Sequence, residues 1–126
     1  MYVQQTSGTC PYGSYSREPG NIVWHAAEGI RFIDNRFEHL GAAALVFEHG
    51  SHGNVIEGNV FQDISGIAIQ IGDTVDPHPS DVGADEREIS AFNTISNNSI
   101  SEVGAEFHGA VGIMLFFTQH SLVQHN

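Results

Sequence analysis

Residues 30–40 read IRFIDNRFEHL, and the theme returns as NVIEGNVFQDI at 54–64, NTISNNSISEV at 93–103 and a shortened SLVQHN at 121–126. Alignment of the four puts Asn35, Asn59, Asn98 and Asn126 in one column, three residues after Phe32, Ile56, Ile95 and Val123. Phe37, Phe61 and Ile100 form the next shared column, and Leu40, Ile64 and Val103 the one after it. Self-similarity at a period near 24 residues, with short apolar alternations and no helical pattern, marks a solenoid of stacked β-coils. The expected fold is all-β, a parallel β-helix of about three coils and an incomplete fourth.

One coil cannot bury its own apolar residues. Stacking gives each inward side chain an equivalent neighbour ~4.8 Å above and below. The sequence therefore predicts core ladders of Phe37 over Phe61 over Ile100 and of Leu40 over Ile64 over Val103. The Asn column is the turn, since Asn tolerates the left-handed backbone of a tight corner and its amide can bond the coils on both sides. Ordinary turn Asn residues in a β-sandwich are the competing reading, but sandwich strands do not repeat a three-strand pattern in register.

The chain has 126 residues, 40% of them apolar, and 14 Gly, which suits one turn-rich β domain. Residues 1–20, with Gly8, Pro11, Gly13, Pro19 and Gly20 among Ser and Tyr, read as an irregular lead-in segment, and 21–126 as coils. Because the last residue is the turn Asn of a fourth coil, the chain is expected to be part of a longer protein, with missing coils of the parent chain as its first partner. Strands are expected at about 30–33, 36–39 and 43–47 in the first coil, 54–57, 60–63 and 67–71 in the second, and 93–96, 99–102 and 110–116 in the third. Alternation in the third strand of each coil turns Leu45, Phe47, Ile69, Ile71, Ile113 and Leu115 inward, leaving Val46, Gln70 and Met114 outward.

Fifteen acidic residues stand against four Arg and no Lys, a formal net charge of -11. Nucleic acid is held through many cationic contacts to phosphate, so no nucleic acid is expected as partner, and an anionic membrane is disfavoured likewise. The longest apolar run, GAAALVF at 41–47, is too short for membrane insertion. Met1-Tyr-Val-Gln-Gln-Thr does not begin an export signal, so any such signal is expected upstream. The single Cys10 offers neither a disulfide nor a metal pattern.

Departures from the period locate the expected ligand site. Steps along the Asn column are 24, 39 and 28 residues. The long step inserts about fifteen residues after the third strand of the second coil, within 73–89, and the shorter one lengthens the corner at 105–109. Solenoid insertions map to loops, often on the binding face. Both flank the third-strand sheet from opposite sides, which predicts a groove floored by Val46, Gln70 and Met114.

The first insertion carries Asp73, Asp76, His78, Asp81, Asp85, Glu86 and Glu88, and the second carries Glu106 and His108. Paired carboxylates divide into proton donor and base or nucleophile in most glycosidases, ~5–5.5 Å apart for retention and ~6.5–9.5 Å for inversion. An acidic, Pro-containing loop can equally be a plain solvated turn. Asp73, Asp81 and Glu106 are the expected catalytic carboxylates, with His108 orienting or transferring a proton. Glu48, Gln70, Asp76, His78, Met114 and Phe117 are the expected substrate-binding residues. No cofactor is expected. Calcium remains open, because hard cations take loop carboxylates, although Asp73, Asp76, Asp81 and Asp85 match no fixed ligand register. His25, His49 and Asp73 fall at steps of 24, which could gather three ligand types on adjacent coils or simply be polar surface.

The stretches HLGAAALVFEHGS, GNVFQDISG, DTVDPHPSDVGADEREI, EFHGAVGI and HSLVQHN resemble secreted bacterial right-handed parallel β-helix repeat proteins, the carbohydrate-active type within the pectate-lyase-like superfamily. The resemblance covers roughly residues 20–126. It implies a secreted protein that binds or cleaves a polysaccharide or oligosaccharide in a groove along one sheet. Lyases of that superfamily pair calcium with a basic Lys or Arg; here there is no Lys, and Arg87 is the only Arg in the groove loops. A strongly acidic surface would also repel a polyuronate. The expectation is therefore a glycoside-hydrolase-like protein acting on a neutral glycan. A non-catalytic glycan-binding or adhesin β-helix is the first alternative, and a calcium-dependent polysaccharide lyase the second.

Overall fold

The computed structural model describes residues 19–73 and 88–126. The chain winds through four faces per turn, and every strand pairs in parallel with its counterpart one coil away. One four-stranded sheet, hereafter the long sheet, stacks β1 (Gly20–His25), β4 (Ala43–Glu48), β7 (Ile69–Ile71) and β11 (Ile113–Leu115). A second face stacks β2 (Arg31–Ile33), β5 (Val55–Glu57), β9 (Thr94–Ser96) and β13 (Leu122–Gln124). The third stacks β3 (Arg36–Leu40), β6 (Val60–Ile64) and β10 (Ser99–Val103). A narrow fourth face pairs β8 (Ser90–Ala91) with β12 (Thr118–Gln119) and continues upward through bridges at His52 and Glu28. This is a parallel β-helix.

The expected ladders are present. Phe37, Phe61 and Ile100 lie in register, as do Leu40, Ile64 and Val103. The Phe37 and Phe61 rings stack at 4.7 Å between centroids and 8° between planes, which is the coil spacing itself. Leu45, Phe47, Ile69 and Ile71 are fully buried in the same core. Leu115, expected inward, pairs with Ile71 yet is exposed, because β11 has a strand neighbour on one side only.

The inner corner residues Asn59 and Asn98 join the coils on both sides. The Asn59 Oδ1 accepts from the Asn35 backbone N–H at 2.9 Å, while its Nδ2 donates to Phe32 O at 2.9 Å and to Asn98 Oδ1 at 3.0 Å. Asn98 repeats the arrangement, and Asn126 accepts from Asn98 and donates to Ile95 O and to Gln124 O of its own coil. The residue before each corner Asn, at 34, 58, 97 and 125, has a positive φ, the left-handed backbone that the turn demands. A second Asn column escaped the sequence reading. Asn54 and Asn93 form it with the same geometry, Asn54 accepting from Ile30 N–H and donating to Ala27 O and Asn93 Oδ1.

Strand β1 was not expected either, since it precedes the first full repeat and has no Asn-marked strands before it. The narrow fourth face was also missed, because two-residue strands carry no alternation to read.

Candidate functional site

The long sheet ends at a corner where three successive coils contribute polar side chains. Its C-terminal edge carries His25 from β1, Glu48 from β4 and, just beyond β7, Asp73. In the sheet register His25 lies opposite Glu48, a step of 23 rather than 24, and Ala27 then meets Ser51 at a step of 24. Gly50 is thus the one extra residue in this corner. Both His49 (φ 51°) and Gly50 (φ 73°) take the left-handed backbone, and this turns the His49 ring back over the end of the strand.

The result is a compact carboxylate–imidazole cluster. His25 Nε2 lies 2.8 Å from Glu48 Oε1, and His49 Nε2 lies 3.8 Å from the same oxygen. On its other side the His49 ring meets Asp73, Nδ1 to Oδ1 at 3.0 Å, while the His49 backbone N–H donates to Asp73 Oδ2 at 2.9 Å. The two imidazole centroids are 4.8 Å apart. Both rings are more than half exposed, whereas the Glu48 side chain is 1% exposed. A buried Glu requires a partner, and His25 is one. The cluster therefore presents two solvent-facing imidazoles on a carboxylate fixed in the fold, with a second carboxylate orienting one ring.

Of the expected site residues, the structure brings Asp73 and Glu48 together at this corner. Glu106 and His108 are exposed in the 105–109 corner that leads into β11, at the opposite edge of the long sheet. Backbone N–H groups of Glu106 and Phe107 anchor that corner to Ser65 O. Glu106 and Asp73 thus do not share one site, because the strands of the long sheet run between them. Asp76, His78 and Asp81, and Asp85 of the calcium reading, lie outside the described residues.

The groove floor is corrected. Val46, Gln70 and Met114 do stand in register on the outer face, but Val46 and Gln70 are buried, and Val46 and Met114 pack with Ala43, Ile67, Val23 and Ala110 as a second apolar cluster. Alternation gives the direction of a side chain and says nothing of what covers it. Phe117 is 49% exposed at the corner after β11, on the same edge as the cluster but one coil further along. His25, His49 and Asp73 are legible in the sequence as a column, whereas the register slip at Gly50, which puts Glu48 between the imidazoles, carries no periodic signal.

Away from this corner, the face of β3, β6 and β10 carries a polar lattice. Arg36 pairs with Glu38, Arg36 Nη2 donates to Gln62 at 3.1 Å, and Gln62 donates to Glu102 at 3.1 Å. His39 Nδ1 meets Asp63 Oδ2 at 2.6 Å. The hydrogen bond and charge of Asp63 hold the His39 imidazole above its usual range, and the Arg36 contact holds the Glu38 carboxyl below its own. No helix among the described residues is long and apolar enough to cross a membrane.

A solved structure named "Glycoside hydrolase" is similar to 90% of this chain at 30% identity, with a TM-score of 0.80; the chain spans 20% of that protein's length. No curated protein matches this chain. Residues 20–126 match the family described as the right handed beta helix region, and the chain belongs to that family.

Proposed function

We propose that this run of coils belongs to a carbohydrate-active, glycoside-hydrolase-like protein that binds and hydrolyses a neutral polysaccharide at the C-terminal corner of the long sheet. The observation that carries the reading is the meeting of Glu48, Asp73 and two exposed imidazoles at one corner of a chain 30% identical to a glycoside hydrolase. Hydrolysis of a glycosidic bond requires a proton donor and a carboxylate placed across the reacting centre. Glu48 and Asp73 stand on either side of the His49 imidazole, so the corner offers two carboxylates and two proton-carrying rings to one bound sugar. The exposed Phe117 on the same edge offers a ring face for a sugar.

Elimination from a polyuronate is the weaker reading. It needs a cationic base, and among the described residues the two arginines, Arg31 and Arg36, lie on other faces of the coil. The acidic balance of the chain also favours an uncharged glycan. On this reading the polymer is met outside the cell and the working protein is extracellular.

The protein is incubated with a panel of neutral plant and microbial glycans and assayed for new reducing ends. Release by the native protein, with a loss of roughly 10²–10⁴-fold in Asp73→Asn or Glu48→Gln, is the expected result. Release that Asp73→Asn and Glu48→Gln both leave unchanged removes the cluster from catalysis. Glycan retention without release, indifferent to either substitution, favours a binding β-helix instead.

A further inference from the structure

We infer that His25, Glu48 and His49 form a binding site for a divalent transition-metal ion of the zinc class, with Asp73 as the outer carboxylate that orients His49. The inference rests on the proposed function only for the glycan the site serves, and with the ion bound Glu48 acts as a ligand in place of a free acid or base; the site itself stands on coordination geometry. One ligand atom from each of the three residues lies within 4.8 Å of the others. Around a tetrahedral zinc ion with bonds of ~2.0–2.2 Å, ligand atoms stand roughly 3.3 Å apart. The 2.8 Å from His25 Nε2 to Glu48 Oε1 and the 3.8 Å from His49 Nε2 to the same oxygen bracket that value. The remaining gap closes by rotation of two half-exposed imidazoles toward a carboxylate that burial holds still.

Three features distinguish this cluster from a chance surface group. Two nitrogens and one oxygen suit a borderline ion such as zinc and not calcium, which takes oxygen ligands. The second ring nitrogen of His49 already bonds a carboxylate, at 3.0 Å, and a metal-ligating His almost always has such an outer partner, which fixes its tautomer and leaves Nε2 for the ion. The Asp73 oxygen that does not meet the ring accepts the His49 backbone N–H, so this outer partner is itself held in place. Three protein ligands leave a fourth position open to solvent, the arrangement of catalytic rather than structural zinc. Water or a sugar hydroxyl would occupy it, polarised by the ion beside the bound glycan.

The test uses the whole chain, stripped of metal with a chelator, titrated with Zn²⁺ by calorimetry and with Co²⁺ by visible absorption. One ion per chain is expected, with Co²⁺ giving the strong d–d bands of a four- or five-coordinate site. His25→Ala and His49→Ala are each expected to weaken binding by at least about 100-fold, and Asp73→Asn by roughly 10–100-fold. His120→Ala, whose ring stacks on Phe92 elsewhere on the coil, is expected to leave binding unchanged. Glu48→Gln should match His49→Ala; if it does not fold, the two exposed histidines carry the test. Absence of one-to-one uptake, or uptake that survives His25→Ala with His49→Ala, overturns the inference. Zinc uptake without glycan turnover leaves the metal site standing and sinks the proposed function. Turnover indifferent to chelation in a chain that takes up no zinc does the reverse.

Discussion

Gln70 is a polar side chain buried on the outer face of the long sheet. It lies in register between Val46 and Met114 on the outer face of the long sheet, 1% exposed, and its Nε2 has no hydrogen-bond partner among the described residues. An orphaned buried donor costs about 1–3 kcal/mol. Gln70→Met keeps the volume and removes the orphan, so urea unfolding should show a gain of roughly 1–2 kcal/mol. A loss instead would mean that the amide is bonded. The direction of Gln70 is legible from alternation, while its burial is not, since alternation says nothing of what packs over the strand. Gly72 is constrained more tightly. Its φ is +92°, and a Cβ there would run into the Phe116 carbonyl oxygen, so the residue that delivers Asp73 to the corner has no side-chain alternative.

Among elements, the Asn column gave the fold because a buried corner amide is a local requirement repeated by every coil: the same offset of three residues returns as Phe32, Ile56 and Ile95, whose carbonyls accept from Asn59, Asn98 and Asn126. The cluster at the corner was half legible. His25, His49 and Asp73 stood out as a column, but a one-residue insertion at Gly50 changes which side chains meet, and no periodicity announces it. On the face of β3, β6 and β10, the His39–Asp63 pair makes a pH prediction. The folded chain raises the His39 value above its unfolded one, so the pair's contribution is complete below ~6.5 and is lost as pH rises through the folded value. Both partners are largely exposed, so the effect is small. The native chain should lose a little stability in urea as pH rises above about 6.5, and His39→Gln should remove that part of the slope. An identical slope in both proteins would assign it to other groups.

At the scale of the molecule, the solenoid turns three separate coil ends into one site. His25, Glu48 and Asp73 come from three different coils, yet parallel stacking brings their side chains within hydrogen-bond reach of a common imidazole neighbourhood. Leu115, Phe117, Leu122 and Val123 are exposed in the last coil, where the ladder has a neighbour on one side. The proposed function puts the glycan at the corner of the long sheet. Imidazole NMR reports on it directly, because His25 and His49 lie in the cluster while His39 and His125 lie on other faces and serve as internal references. Titration with a neutral oligosaccharide retained in the glycan panel should shift the His25 and His49 ring signals and leave those of His39 and His125 in place. Unmoved His25 and His49 signals at saturating oligosaccharide would contradict the account.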